Sequence, residues 1–188
     1  PNDISIAYQL SEVHVSLGEI DRAVEIIRQS YKESPDEIDF LFYIGDLYRL
    51  DSQFENAASA YREGLVIDPS RAEVYYKLAD VMIELKQQFL ALEYLNKALL
   101  VDPEMLDAAI FLANVAFDLK WWDRAENAYM MAAIKGNEEG LQGLINLAIE
   151  YSNNKDDKSF GQIKKKLKSI KVENPALQVE IAGLLSDS

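Results

Sequence analysis

The chain has 188 residues and a formal net charge of −13, from 19 basic and 32 acidic residues. This excess of acid argues against a general nucleic-acid-binding protein, because phosphate contacts require clustered lysine and arginine side chains. The sequence contains no cysteine, which excludes a disulfide scaffold and any thiolate metal site.

No apolar run approaches the roughly 18 residues that a membrane span needs. The first ten residues also lack the basic and apolar regions of a signal peptide. Together with the absence of cysteine, these features lead us to expect a cytoplasmic protein without a membrane span. The chain begins at Pro1 rather than at a methionine, which leaves open a targeting segment ahead of it.

Proline and alanine each recur along the chain at the same spacing of 34 residues, and we call these two series the proline ladder and the alanine ladder. Two residue types that recur at one fixed spacing indicate a repeat array rather than a local accident. We therefore predict a single domain over 1–188, in which neighbouring repeats share one continuous core. The ladders are Pro35, Pro69 and Pro103, and Ala23, Ala57, Ala91 and Ala125.

The first repeat, 4–37, is predicted to be a hairpin of two helices. Apolar residues in its first half follow helical spacing until Gly18 breaks the pattern. A second helix opens at Asp21 and ends before Pro35, because the residue preceding a proline is pushed out of the α region. His14 lies among the apolar positions, so we assign it to packing rather than to acid–base chemistry. Those positions are Ile6, Ala7, Leu10, Val13 and Leu17.

The next three repeats, 38–71, 72–105 and 106–139, keep the same order of residue types. Their pattern resembles the tetratricopeptide repeat (TPR) family, whose 34-residue unit carries characteristic apolar, small, aromatic and proline positions. The resemblance covers 4–139 and implies an all-α fold, an α-solenoid of helix–turn–helix hairpins wound into a right-handed superhelix. In the second repeat the matching residues are Leu41, Ile44, Gly45, Tyr48, Phe54, Ala57, Tyr61, Gly64 and Pro69.

Small residues recur where the helices of neighbouring hairpins must approach closely. One column of small residues lies in the first helix of each repeat, and the alanine ladder lies in the second helix. Large residues are predicted to fill the space beside them. The first-helix column holds Gly45, Ala79 and Ala113, and the large column holds Tyr61, Leu95 and Tyr129.

Beyond position 139 the regular period is lost, although helical spacing continues. We predict a degenerate fifth hairpin over 140–171 and a C-terminal capping helix over 175–186, which shields the open end of the array. The second half of this hairpin is a basic amphipathic helix. Its lysines are interpreted as a solvated outer face, with contact to acidic lipid or protein as the alternative. They are Lys164, Lys165, Lys166, Lys168 and Lys171.

The sequence offers little material for catalysis. It holds one histidine and no cysteine, and no Gly-rich phosphate loop, HExxH or GxSxG motif occurs. Paired acids such as Asp36–Glu37 lie next to predicted helix starts, where they offset the helix dipole without forming an active site. We therefore predict that the protein is not an enzyme and has no catalytic residue, metal site or cofactor.

The family resemblance implies a binding surface. In TPR proteins the first helix of each hairpin lines a concave groove, so the matching face here is the predicted groove for a peptide or protein. Acidic and aromatic side chains alternate along it, and aromatic residues are enriched at interface centres. The alternative is that the acids are merely solvated and the aromatics pack between hairpins. The predicted members are Tyr8, Glu12, Asp39, Phe42, Tyr43, Asp46, Arg49, Glu73, Tyr76, Lys77, Asp80, Asp107, Ile110, Phe111, Asn114 and Phe117.

One ligand of the family can be compared with these positions directly. TPR co-chaperones hold the C-terminal carboxylate of heat-shock chaperones with lysine, arginine and asparagine side chains. The matching positions here hold Tyr8, Glu12, Tyr43, Glu73 and Lys77. Only the lysine suits an anion, and the acids would repel a carboxylate, so we predict that chaperone C-termini are not partners.

The pair Trp121–Trp122 opens the second helix of the fourth repeat. Trp122 aligns with Phe54 and is predicted to be core. Trp121 aligns with polar residues of the other repeats and is predicted to be exposed, either as a second contact site or as a local packing feature.

The leading hypothesis is a non-enzymatic TPR adaptor that binds a basic or apolar–basic segment in an acidic, aromatic groove. Charge would steer the encounter and aromatic anchors would hold the partner. The alternative is an assembly protein that self-associates, or part of a longer solenoid, with Trp121 and the terminal helices as contacts. We expect a monomer or a weak homo-oligomer.

Overall fold

The structure is a computed structural model that describes residues 4–186. Within that range it consists of eleven α-helices, with no strand. Each predicted repeat contains one helical hairpin, so the all-α fold of TPR-type hairpins is confirmed. The helices are α1 (Ile4–Ser16), α2 (Ile20–Glu33), α3 (Asp39–Leu50), α4 (Phe54–Ile67), α5 (Ala72–Glu84), α6 (Gln88–Val101), α7 (Leu106–Asp118), α8 (Trp122–Ile134), α9 (Glu138–Asn153), α10 (Asp157–Ser169) and α11 (Pro175–Ser186).

The chain divides into two compact units, Pro1–Asp102 and Pro103–Ser188. The first unit contains α1 to α6, and the second contains α7 to α11. The boundary falls at the end of the third repeat, within the array that the sequence predicts as a single domain. Each unit has its own packing and is described separately below. Within the range 4–186, no helix combines the length and the apolar character that a membrane crossing requires.

The core of the first unit is built by alternating first and second helices. α2 packs against both α1 and α3, and α4 packs against both α3 and α5. The alanine ladder lies on the second helices α2, α4 and α6 of this unit, and Ala23, Ala57 and Ala91 are fully buried. Small side chains let the helix axes approach, as the sequence columns predict.

Aromatic rings in the first unit fill the space above two glycines. The ring of Tyr61 lies over Gly45, and the ring of Phe42 lies over Gly64. A Cβ atom added to either glycine would come within 2.5 Å of ring carbon atoms. These two contacts pack α3 tightly against α4.

In the second unit, α9 packs against α7, α8, α10 and α11. A buried polar cluster holds three of these helices together. The Glu126 carboxylate of α8 accepts a hydrogen bond from the Tyr151 hydroxyl of α9 at 3.2 Å, and Lys166 of α10 forms an ion pair with it. The lysine run of α10 is therefore not solely a solvated face, because one of its members pairs with a buried acid.

The turn inside each of the first four hairpins has the same backbone conformation. Gly18, Ser52, Lys86 and Lys120 all have positive φ, from 57° to 76°, and each lies one repeat length after the last. In each turn the next residue donates its backbone N–H to a carbonyl five residues earlier, at 2.8 to 2.9 Å, as in a Schellman motif. From the sequence, this left-handed turn position can be recognised only in the first repeat, where the residue is glycine.

We expect Lys86→Gly to stabilise the first unit by about 0.5–1 kcal/mol, because a lysine Cβ is strained in the left-handed region and glycine has none. Urea unfolding would measure the change. The matched control is Lys97→Gly, an exposed position inside α6, where glycine should cost about 1 kcal/mol. Destabilisation by Lys86→Gly would contradict the expectation.

The apolar periodicity of α1 does not correspond to burial. Ala7 is buried, but Ile6, Leu10 and Val13 are exposed. His14 is partly buried, and its Nδ1 lies 2.7 Å from the Glu19 carboxylate, so it contacts the hairpin turn. α1 thus packs through Ala7, Tyr8 and Val15, while its predicted core positions Ile6, Leu10 and Val13 face solvent.

Candidate protein-binding face

The predicted groove residues lie on the first helices, α1, α3, α5 and α7. We call those of the first unit the first-helix face. Its members are Tyr8, Glu12, Asp39, Phe42, Tyr43, Asp46, Arg49, Glu73, Tyr76, Lys77 and Asp80.

A pair of half-buried tyrosines joins α1 to α3. The rings of Tyr8 and Tyr43 meet edge to face, with their centroids 4.9 Å apart, and Tyr8 also contacts Phe40 at 5.2 Å. Burial, followed by the negative charges of Asp39 and Glu37, raises the pKa of Tyr8 to about 12. Burial is the larger cause, and the two acids add negative charge near the Tyr8 hydroxyl.

Lys77 carries the central positive charge of the face. Its Nζ lies 2.9 Å from the Asp46 carboxylate on α3 and 3.2 Å from the Glu73 carboxylate on its own helix. Burial acts to lower the pKa of Lys77, but the bonds to these two acids outweigh burial and raise it. Two of the predicted acids are therefore ion-paired within the protein.

A second pair crosses the same two helices, because Arg49 of α3 lies 3.2 Å from Asp80 of α5. Arg71 adds a third connection, with its guanidinium 2.9 Å from Asp39 and 2.7 Å from Asp68. Sequence reasoning missed Arg71. The available signal was its position just before α5, nearly one repeat after the acid that opens α3.

Not every predicted residue is accessible. Phe42 is only 7% exposed, with its ring over Gly64 and the Arg71 guanidinium 5.6 Å from the ring centroid. Ile110 in the second unit is 6% exposed. Neither side chain presents enough surface to anchor a ligand in this conformation, whereas Tyr8, Tyr43 and Tyr76 remain half-buried. The accessible aromatic surface of the first-helix face is therefore tyrosine.

In the second unit, Asn114 is the polar centre of the corresponding face on α7. It accepts a hydrogen bond from the Tyr129 hydroxyl at 2.7 Å and donates one to Glu139 at 3.3 Å. Asp107 is exposed, while Phe111 and Phe117 are partly buried.

One hydrogen bond recurs between the two helices of a hairpin. Tyr61 donates its hydroxyl to Asp46 at 2.6 Å, and Tyr129 donates to Asn114 at the same columns two repeats later. Each tyrosine comes from a second helix and holds a polar residue of the first. Asp46 and Asn114 thus have a structural role in addition to any role in binding.

The two tryptophans have different environments. Trp121 is 38% exposed just before α8, and the Arg124 guanidinium lies 5.7 Å from its ring centroid. Trp122 is half-buried and meets the Tyr151 ring edge to face at 5.5 Å. The second ring therefore packs inside the second unit, and the first is accessible beside a cation.

Among residues 4–186, no group of three or more histidine or acidic side chains is arranged to hold a metal ion. The first-helix face instead combines hydrogen-bonding carboxylates, paired cations and tyrosine rings. Such a surface can recognise a partner through charge and aromatic contact.

Sequence models of known families match the N-terminal part of the chain. A model described as TPR repeat matches residues 45–86, and one described as tetratricopeptide repeat matches 4–37 and 72–105. No curated protein sequence matches the chain.

Solved structures with a similar fold cover most of the chain. A crystal structure of MamA has a TM-score of 0.68 at 20% identity, covering 87% of this chain and 88% of that one. YrrB, described as a TPR protein with an unusual peptide-binding site, has a TM-score of 0.65 at 16% identity, covering 96% and 92%. A tetratricopeptide repeat protein from Parabacteroides merdae has a TM-score of 0.69 at 19% identity, covering 96% and 71%. At these identities the likeness shows the fold alone.

Proposed function

The chain belongs to the tetratricopeptide repeat family, and we propose that it is a non-enzymatic adaptor for a basic or mixed apolar–basic protein segment. As a family member it is a protein–protein interaction module. The observation that carries the finer proposal is the half-buried pair of Tyr8 and Tyr43, whose rings meet edge to face on a helix face that carries five carboxylates. We do not propose nucleic acid or chaperone C-termini as partners.

Charge favours a cationic partner on the first-helix face. Its charged members are five carboxylates and two cations, and Arg71 beside it adds a third cation that pairs with Asp39. The ion pairs that Lys77 and Arg49 form do not remove the excess of negative charge. Glu12, on α1, is exposed. A lysine or arginine of the partner can share these carboxylates, and the net field increases the encounter rate.

Aromatic contact is the proposed source of affinity. Tyr8, Tyr43 and Tyr76 are half-buried, so each ring is held by the fold while part of it faces solvent. Rigid rings contribute contact area at low entropic cost. The peptide-binding site named for YrrB supports a peptide as the class of ligand.

Synthetic peptides that alternate leucine with lysine or arginine provide the test, with glutamate-substituted peptides as the matched probes. We expect the basic peptides to bind more tightly, and the combined Tyr8→Ala and Tyr76→Ala variant to lose about tenfold or more in affinity. Titration calorimetry at low and high salt would measure both effects. Tyr94→Ala, a half-buried tyrosine on a second helix, is the control. Unchanged affinity in the double variant would contradict the proposed face.

Lys77→Met is expected to tighten binding of the basic peptides by roughly three- to tenfold at low salt. The substitution keeps an apolar stem but frees the carboxylates of Asp46 and Glu73 for the partner. The gain should shrink at high salt, because exposed charges are screened. Lys97→Met, which removes an exposed charge from α6, should leave the affinity nearly unchanged. Weaker binding by Lys77→Met would mean that these acids do not meet the ligand.

A further inference from the structure

Helix α10 and the residues after it carry a dense positive charge in the second unit. The range 158–171 holds six lysines and no acidic residue, although the chain as a whole has a net charge of −13. Two of the six are neutralised, because Lys166 pairs with the buried Glu126 and Lys171 pairs with Glu173 at 2.7 Å. This part of an acidic protein is therefore locally basic.

Three of the remaining lysines lie on one side of α10. Lys158 and Lys165 are seven residues apart and Lys168 follows three residues later, the spacing that keeps side chains on one face of a helix. All three are exposed, and among residues 4–186 none of them forms an ion pair. The other side of the helix packs into the core through Ile163 and Leu167, which are at most 1% exposed. We call the three lysines the basic stripe, which spans about 15 Å along the helix.

A gap lies in the middle of the basic stripe. Gly161 follows Lys158 by three residues and precedes Lys165 by four, and no atom lies within 4 Å of a Cβ added to it. In α9, by contrast, a Cβ on Gly140 would lie 2.7 Å from the nearest side chain. Glycine inside a helix costs stability relative to alanine, and packing within the chain does not explain this one. It leaves room for the backbone of a partner to approach α10 between the lysines.

The range of the charge interaction favours a short acidic segment as the partner. At physiological ionic strength, charges interact over about 8 Å, so a segment lying on the basic stripe experiences mainly the lysines. A membrane surface or a nucleic-acid duplex extends far beyond that distance and meets the acids of the rest of the chain. The net charge of −13 therefore opposes these larger anions.

The apolar residues of α10 also argue against a lipid surface. Ile163 and Leu167 are buried, and Phe160 is partly buried with the Lys164 nitrogen 4.8 Å from its ring centroid. Binding to a bilayer surface depends on apolar area that enters the lipid as well as on charge, and α10 exposes no large apolar side chain. A protein segment with carboxylate side chains needs only the lysines and the gap.

We propose that the outer face of α10 is a second docking site, which binds an acidic segment of another protein. Its glutamate or aspartate side chains pair with the basic stripe, and its backbone lies over Gly161. Asp156 and Asp157 lie beside Lys158 at the start of the helix, so the partner's carboxylates bind mainly at Lys165 and Lys168. The site belongs to the second unit and does not rest on basic-peptide binding by the first-helix face.

Helix-forming peptides of alanine and glutamate test the proposal, with glutamine replacing glutamate in the matched probe. Fluorescence anisotropy should show binding of the acidic peptide alone, weakening as salt rises. The combined Lys165→Met and Lys168→Met variant should lose about tenfold in affinity for it while keeping its affinity for basic peptides. Lys86→Met with Lys97→Met removes the same charge from exposed positions of the first unit and should change the acidic-peptide affinity little.

Gly161→Ala separates docking from folding. It should stabilise α10, since alanine replaces glycine in a helix, yet weaken binding of the acidic peptide at least threefold because the methyl group fills the gap. The control is Gly183→Ala in α11, which is equally open but lies on a helix without lysine. Unchanged affinity in Gly161→Ala, or equal losses in the two lysine pairs, would overturn the proposal.

Vesicles containing phosphatidylserine and a DNA duplex test the other classes of anion. We expect neither to bind the protein more tightly than the acidic peptide does at physiological salt. Binding of either one that depends on Lys165 and Lys168, without binding of the acidic peptide, would overturn the assignment of a protein partner.

Discussion

Gly45→Ala is expected to destabilise the first unit by about 2 kcal/mol, because the added methyl group overpacks the core. The new Cβ would lie 2.4 and 2.5 Å from two ring carbons of Tyr61. The ring cannot swing aside, because Tyr61 is fully buried and its hydroxyl is bonded to Asp46 at 2.6 Å. Overpacking costs about 1–3 kcal/mol or more, which exceeds the ~1 kcal/mol that alanine gains over glycine in a helix.

Two comparisons separate packing from helix propensity. Gly161→Ala, in α10 with no atom within 4 Å of the added Cβ, should stabilise the protein by about 0.5–1 kcal/mol. In a Tyr61→Leu background, Gly45→Ala should cost little, since the third repeat combines Ala79 with Leu95. Urea unfolding of all variants measures these differences. If Gly45→Ala leaves the free energy of unfolding of the parent protein unchanged or increases it, the Tyr61 ring moves to accommodate the methyl group.

Lys166→Met is expected to destabilise the second unit by roughly 2 kcal/mol, because it leaves a buried carboxylate without its cation. The Glu126 side chain is only 10% exposed, and without Lys166 its carboxylate would keep only the bond from the Tyr151 hydroxyl. Removing one partner of a fully buried pair costs about 3–5 kcal/mol. The lysine side chain is 43% exposed, so solvent screening makes the expected loss smaller.

Neighbouring lysines of α10 supply the controls for this prediction. Lys165→Met and Lys168→Met remove the same charge from exposed positions and should change the free energy of unfolding by less than ~0.5 kcal/mol. Glu126→Gln combined with Lys166→Met should recover much of the loss, because a neutral amide replaces the buried charge. Equal effects of all three lysine substitutions would indicate that only the net charge of the helix matters.

The fold follows from the sequence because its main signal is local and repeated. One constant period places small residues wherever second helices meet first helices, and that placement appears in the burial of Ala23, Ala57 and Ala91. The turn column was less visible. Ser52 and Lys86 adopt the same left-handed conformation as Gly18, because the backbone hydrogen bonds of the hairpin impose it. Only the glycine indicates that conformation in the sequence.

The candidate site could be predicted only to the level of a helix face. The repeat register places Phe42 and Tyr76 at equivalent positions. It cannot show that Gly64, on the next helix, leaves room for the Phe42 ring to be buried in the core. Nor can it show that Lys77 pairs with Asp46, since that contact depends on the distance between two helices. Both outcomes are decided by three-dimensional packing.

The sequence by itself determined the repeat length, the helical hairpins and the column to which each side chain belongs, because these depend on spacing along the chain. Only the tertiary structure decided which members of a column are covered. Ile6, Leu10 and Val13 have the composition of a core and remain exposed, because burial requires a neighbouring helix and not only an apolar side chain.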